Sequence, residues 1–309
     1  PVRARQLLPL HAADAAWPVR MYAATAATAL GDDARLETLA GDARSNVREA
    51  AVAGLAARAA AKDAPDRAER QQRLSRALVA ALAERRDPQL LRTAARAINA
   101  TGDAAPFASA IATALEAVDG SGADTWIDAR VALVDAYRLA SPQAPYAVPA
   151  PARAPMTPSP QELRALPSRA RIEMARGGVI ELELLPDEAP ATVARFARLA
   201  AAGYYDGLTI HRVEPNFVVQ GGSPWANEYA GAPRFQRDEL GFARHERGAA
   251  GISTRGRDTG DAQFFFDLVD LPRLNHDYTV FARVVSGMDV VDRILEADVI
   301  SRIEVVFAR

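Results

Sequence analysis

The sequence predicts two unlike parts, an all-α segment of helical repeats followed by a mainly-β barrel. Three observations lead there. Residues 1–140 are alanine-rich, with apolar residues at helical spacing and almost no β-branched runs. Residues 141–168 hold eight of the chain's twenty prolines. From 169 to 309 the pattern turns to short alternating segments broken by glycine turns. A chain of 309 residues is also too long for one ordinary core.

Within 1–140, "PVRMYAATAATALGD" (18–32) and "NVREAAVAGLAARAA" (46–60) share Val-Arg, then alanines, then leucine. Looser echoes follow at 89–103 and 128–140. Repeats of roughly 28 to 45 residues fit helix hairpins that bury their faces only by stacking. The motif resembles HEAT repeats, paired-helix solenoids used as binding scaffolds, which implies a protein partner on this part. An irregular helical bundle is the other reading. The 141–168 stretch reads as a linker, because proline fixes φ and removes a donor. One short helix is expected in it, with Ser159 as N-cap, Pro160 at the first position and Glu162 closing a capping box.

From residue 169, "RARIEMA" and "GVIELELL" alternate around Gly177-Gly178 as a hairpin should. Residues 189–203 form an amphipathic helix with Val193, Phe196 and Leu199 on one face and Gly203 at its end. Short strands recur in "LTIHRV", "NFVVQGG", "AAGIST", "AQFFFDLV" and "YTVFARVV". A second helix is expected over 287–297 and a closing strand in "SRIEVVFAR". Many short strands around two helices point to a closed or nearly closed barrel.

Composition removes several functions. A net charge of −2 does not suit nucleic acid, whose phosphates need a basic surface. The absence of cysteine excludes disulfides, thiol nucleophiles and cysteine metal sites. No apolar run is long enough for a membrane-spanning helix. His11, His245 and His276 show no ligand spacing and the carboxylates are scattered, so no metal site is expected, and nothing in the reading implies a cofactor. Lys62 is the only lysine, a pattern that fits a GC-rich coding bias better than a functional signal. Pro1 without a preceding methionine reads as a trimmed start, leaving the address open between cell envelope and cytoplasm.

The stretch "IHRVEPNFVVQGGS" (210–223) sets Arg212 among apolar residues. With "DAQFFFDL" and "YTVFARVVSGMDVVDRI" it resembles the three signature blocks of cyclophilins, the cyclosporin-binding peptidyl-prolyl cis-trans isomerases, in the family's order. The resemblance covers about 169–309 and implies an eight-stranded antiparallel barrel capped by two helices, with a groove on its outer wall. It implies that Arg212 is the catalytic arginine, with Phe217 and Gln220 beside it. It further implies substrate-binding positions at Val218, Gln263, Phe265, Leu274 and Tyr278. Ser253, Thr254 and Arg255 fall on the strand edge whose backbone holds the peptide. The expected partners are proline-containing polypeptides, and the expected role is X-Pro isomerisation in protein folding. Arg273 stands where cyclosporin-sensitive members carry tryptophan, so weak cyclosporin binding is expected. Arg255 is expected to bias substrates towards acidic neighbours. Phe264 and Phe265 alternate along a strand, so one should face the core and the other the groove. His211 is expected to be structural and hydrogen-bonded inside the barrel, and the loop 223–248 carries no assigned role. The competing reading is a proline-peptide-binding module with little turnover. A weaker third is action on the chain's own linker bonds, such as Val148-Pro149.

Overall fold

Small side chains let the helices of the first unit approach closely, and that closeness organises the unit. The computed structural model describes residues 2–61, 65–143 and 157–307 and divides the chain into two compact units, Pro1–Ala152 and Arg153–Arg309. Residues 144–156, with the middle of the expected linker and its Val148-Pro149 bond, lie outside the described residues. The first unit contains α1 (Val2–His11), α2 (Trp17–Leu30), α3 (Asp33–Leu39), α4 (Ser45–Ala59), α5 (Arg67–Leu82), α6 (Pro88–Thr101), α7 (Ala108–Ser121) and α8 (Ile127–Ala140). Helix α2 packs on α4, α4 on α6 and α6 on α8, with α5 against α4 and α6. Ala24 and Ala27 of α2, Ala51 and Leu55 of α4, and Leu90, Ala94, Ala95 and Ile98 of α6 are buried. Asp32 and Asp87 cap α3 and α6 by accepting backbone N–H bonds from Arg35 and Gln89.

The second unit opens with the expected short helix, α9 (Pro160–Arg164). The Glu162 N–H donates to Ser159 Oγ at 3.2 Å, and the Ser159 N–H donates to Glu162 Oε2 at 2.7 Å. Glu162 also pairs with Arg198 at 2.9 Å, which ties α9 to the helix α10 (Pro190–Ala201). The strands are β1 (Pro167–Met174), β2 (Val179–Leu184), β3 (Arg212–Val213), β4 (Val218–Gly221), β5 (Ala249–Ile252), β6 (Phe264–Asp267), β7 (Val280–Ser286) and β8 (Ile300–Phe307). They form one antiparallel sheet in the order β3-β4-β6-β5-β7-β2-β1-β8. The sheet curls until its edges meet: the Ile210 N–H donates to Asp298 O and the Ile300 N–H to Leu208 O, both at 2.8 Å. Inside sit Ile172, Ile180, Leu182, Val219, Phe264, Phe266 and Phe281. Phe196 of α10 packs on this core, its ring 5.1 Å from Phe281 and 6.0 Å from Phe264.

Two elements are shorter than the sequence predicts. The expected strand at 208–213 is regular only at Arg212–Val213, because the residues before it turn aside to close the barrel. The second helix is only α11 (Met288–Val291) and does not reach residue 297. There the Ala297 N–H donates to Ile210 O, and Ala297 takes a φ of 72°, so the barrel wall captures the backbone that would have continued the helix.

Gly54 tests the close-packing argument. A Cβ there would stand 2.2 Å from Thr28 Oγ1 and 2.9 Å from Leu36 Cδ2. Replacing Gly54 by Ala gains about 0.5–1 kcal/mol of helix propensity but overpacks the α2–α4 contact at about 1–3 kcal/mol. Gly54→Ala should therefore lower the stability of the helical unit by about 1–2 kcal/mol, read as an earlier urea transition by far-ultraviolet circular dichroism.

Candidate active site

Strand alternation gives the barrel a second apolar cluster on its outer wall. Val219, Phe264 and Phe266 point inward, and their neighbours Val218 and Phe265 point outward. Val218 and Phe265 join Leu271 and Leu274, flanked by Phe217, Val269 and Tyr278. This cluster floors a cavity of about 260 Å³. Cofactor and drug-like sites usually run to about 300–1,000 Å³, so this one suits a single side chain and its backbone.

The turn Glu214-Pro215-Asn216-Phe217 returns β3 onto β4, with Asn216 at a φ of 59° and the Phe217 N–H donating to Glu214 O at 3.0 Å. That hairpin sets Arg212 directly opposite Gln220. Gln220 is buried, and its amide nitrogen donates to Ser253 Oγ at 2.9 Å and to Gln263 Oε1 at 3.2 Å. With both hydrogens engaged, its oxygen is left to accept from Arg212 Nη1 at 3.3 Å. Gln263 in turn donates to the carbonyls of Glu228 (3.1 Å) and Ala230 (3.0 Å). The Arg212 guanidinium also lies 3.4 Å from Glu228 Oε1, 3.9 Å from Glu214 Oε1 and 5.5 Å from the centre of the Phe217 ring.

The structure brings Arg212, Phe217, Val218, Gln220, Ser253, Thr254, Arg255, Phe265, Leu274 and Tyr278 to one cavity. Gln263 stands behind Gln220, buried, and does not line it. Glu228 and Arg273 complete the lining. Glu228 comes from the loop to which sequence reading assigned no role, because nothing local marks a residue placed by contacts with Gln263 and Arg255. Arg255 turns back from the opening. Its side chain is 15% exposed, donates to Glu228 O, lies 3.8 Å from Asp261, and rests against the rings of Tyr229 and Phe235.

Beneath the floor a buried pair went unseen in the sequence. His245 Nδ1 meets Asp267 Oδ2 at 2.8 Å, and its Nε2 faces the Tyr278 carbonyl at 3.3 Å. The imidazole stacks on Phe265 at 5.7 Å and 15°. Burial raises the Asp267 carboxyl above its ordinary value, opposed by the His245 hydrogen bond. His211 corrects an expectation. It is buried as predicted, yet neither ring nitrogen completes a hydrogen bond among the described residues, and interactions with Gln263 and the Thr209 backbone only partly oppose the lowering of its pKa.

The buried Gln220 thus holds the Arg212 guanidinium at the edge of an outward-facing apolar pocket. Residues 169–306 match the family model of cyclophilin-type peptidyl-prolyl cis-trans isomerases. Peptidyl-prolyl cis-trans isomerase B of Bacillus subtilis is 42% identical over 132 residues, 42% of this chain and 92% of that protein. A peptidyl-prolyl cis-trans isomerase of Helicobacter pylori is 40% identical over 130 residues, 41% of this chain and 80% of that protein. A cyclophilin-type isomerase structure from Cryptosporidium parvum aligns with a TM-score of 0.42 at 25% identity, covering 45% of this chain and 96% of that one. The chain belongs to the cyclophilin family. It is a peptidyl-prolyl cis-trans isomerase, and the reading as a proline-peptide-binding module with little turnover is not favoured.

Two outcomes are expected from this geometry. Gly251 lies opposite Phe265, and a Cβ there would stand 2.5 Å from Phe265 Cζ. Gly251→Ala should push the ring into the cavity and lower kcat/KM about tenfold or more on a prolyl peptide, chiefly through KM. Burial, then the neighbouring Arg212 charge, lowers the His211 pKa to about 4. An unfolded histidine titrates near 6.5, so the stability linked to neutral His211 is complete above that value. It is lost as pH falls from about 6.5 to 4, roughly 3 kcal/mol in all. Nuclear magnetic resonance should find the His211 ring protons unmoved between pH 8 and about 5.

Proposed function

We propose that Arg212 stabilises the twisted X-Pro amide while Val218, Phe265 and Leu274 hold the prolyl ring. Rotation breaks amide resonance, at a cost of about 18–20 kcal/mol unaided. In the twisted state the imide nitrogen becomes pyramidal and gains a lone pair that the planar ground state lacks. A guanidinium is always charged and holds its donors in a rigid fork, so it can meet that lone pair as it appears. The stabilisation is specific to the transition state and involves no covalent step.

Magnitudes show how the work is divided. A hydrogen bond to a charged group contributes about 1.5–3 kcal/mol. A ten-thousandfold acceleration needs about 5.5 kcal/mol. The remainder falls to the pocket, which fixes the ring while the preceding carbonyl swings. Gln220 is a positioning residue, its amide oriented by Ser253 and Gln263 so that its oxygen faces Arg212. The observation that carries this reading is the Arg212–Gln220 contact at 3.3 Å beside the pocket. The substrates are proline-containing segments of flexible or unfolded polypeptides.

The first unit is read as a scaffold for a protein partner, supported by the successive packing of α2, α4, α6 and α8. Weak cyclosporin binding is supported by the exposed Arg273, whose guanidinium lies 4.4 Å over the Phe217 ring at the pocket edge.

Cis–trans exchange on an Ala-Pro peptide, measured with the full chain, tests the reading. Arg212→Ala should lose about ten- to a hundredfold in kcat/KM with the circular dichroism spectrum unchanged. Turnover within twofold of the native chain would remove Arg212 from the chemistry.

A further inference from the structure

Three guanidiniums surround the cavity, and only two are answered by carboxylates. Arg212 has Glu228 and Glu214 within 4 Å. Arg255 lies 3.8 Å from Asp261 and is turned inward to the Glu228 carbonyl, so its charge serves the 228–235 segment. Arg273 differs. It sits in the short helical turn Pro272–Leu274, is exposed, and has no carboxylate within ion-pair distance among the described residues. Among the described residues its side chain meets the Phe217 ring, 4.4 Å away, and the Arg212 guanidinium lies 5.5 Å from the same ring. An aromatic face attracts a cation without neutralising it. The ring therefore holds the Arg273 charge beside the pocket, next to Leu274 in its wall, with its own hydrogen bonds still open.

We propose that Arg273 is a specificity residue for the isomerase, favouring substrates with an Asp or Glu side chain next to the proline. The proposal rests on the cavity being the prolyl pocket. A carboxylate on a flanking residue would complete the ion pair that the protein leaves open. Stacking on Phe217 restrains the side chain in advance, which limits the ordering cost on binding. The sequence placed this selectivity at Arg255, but the contacts of Arg255 with Asp261 and the Glu228 carbonyl favour Arg273 as the open charge. An ion pair at an exposed rim is worth little, so the preference should be about two- to fivefold and sensitive to salt.

The test uses the full chain and peptides carrying Glu, Gln or Lys at each position flanking proline in turn. Comparing enzymes on the same peptide cancels intrinsic differences among peptides. The native chain should turn over the Glu peptide about two- to fivefold better in kcat/KM than the Gln peptide at low salt, for one flank. That ratio should fall towards one in Arg273→Gln, reverse in favour of Lys in Arg273→Glu, and shrink in 0.5 M salt. An equal Glu-to-Gln ratio in the native chain and Arg273→Gln overturns the proposal. So does a uniform loss on every peptide with the ratio retained, which would make Arg273 only a support for Phe217. Absence of turnover on every peptide by the native chain would instead strike the prolyl-pocket reading and take this proposal with it.

Discussion

Gln220 has two amide hydrogens, and both are already committed, one to Ser253 and one to Gln263. Everything at the outer wall depends on that arrangement. A buried amide cannot leave donors unmatched without cost, so its orientation is set, and its oxygen faces Arg212. Gln263 is anchored in turn by two carbonyls of the 228–230 segment. Three strands and one loop thus converge to aim a single guanidinium, and the loop contributes the Glu228 carboxylate beside it.

The same strands serve two apolar clusters, and the two faces constrain each other. In β6, Phe264 and Phe266 complete the barrel core, and the intervening Phe265 floors the pocket. The core fixes the register of β6, and the register fixes the height of the pocket floor. Gly251 leaves room for the Phe265 ring from above the neighbouring strand. His245 and Asp267 support it from beneath, a buried polar pair with both ring nitrogens of the histidine facing acceptors. The floor is held on several sides before any substrate arrives, and this rigidity is what a mechanism based on differential binding requires.

Charge follows burial around the site. Arg212 lies among apolar groups and is balanced by Glu228 and Glu214, which keeps a partly buried cation tolerable. Arg255 is drawn into the protein by Asp261 and two aromatic rings. Arg273 alone among the three stays at the surface with only a ring beneath it. The three arginines thus have separate environments: Arg212 is paired with two carboxylates, Arg255 is drawn into the protein and Arg273 lies open at the surface over a ring.

The sequence by itself determined the division into helical and β parts, the capping box of α9 and the alternation that separates Phe264 from Phe265. Each is a local matter: periodicity, or a cap closed between residues three apart. Tertiary structure alone decided the role of Glu228, the burial of the His245–Asp267 pair, the inward turn of Arg255 and the early end of α11. Those depend on contacts such as Gln263 to Glu228 and Ala297 to Ile210, between residues 35 and 87 apart in the sequence. Local pattern carries no signal at that range, because the partners meet only once the sheet has curled and closed.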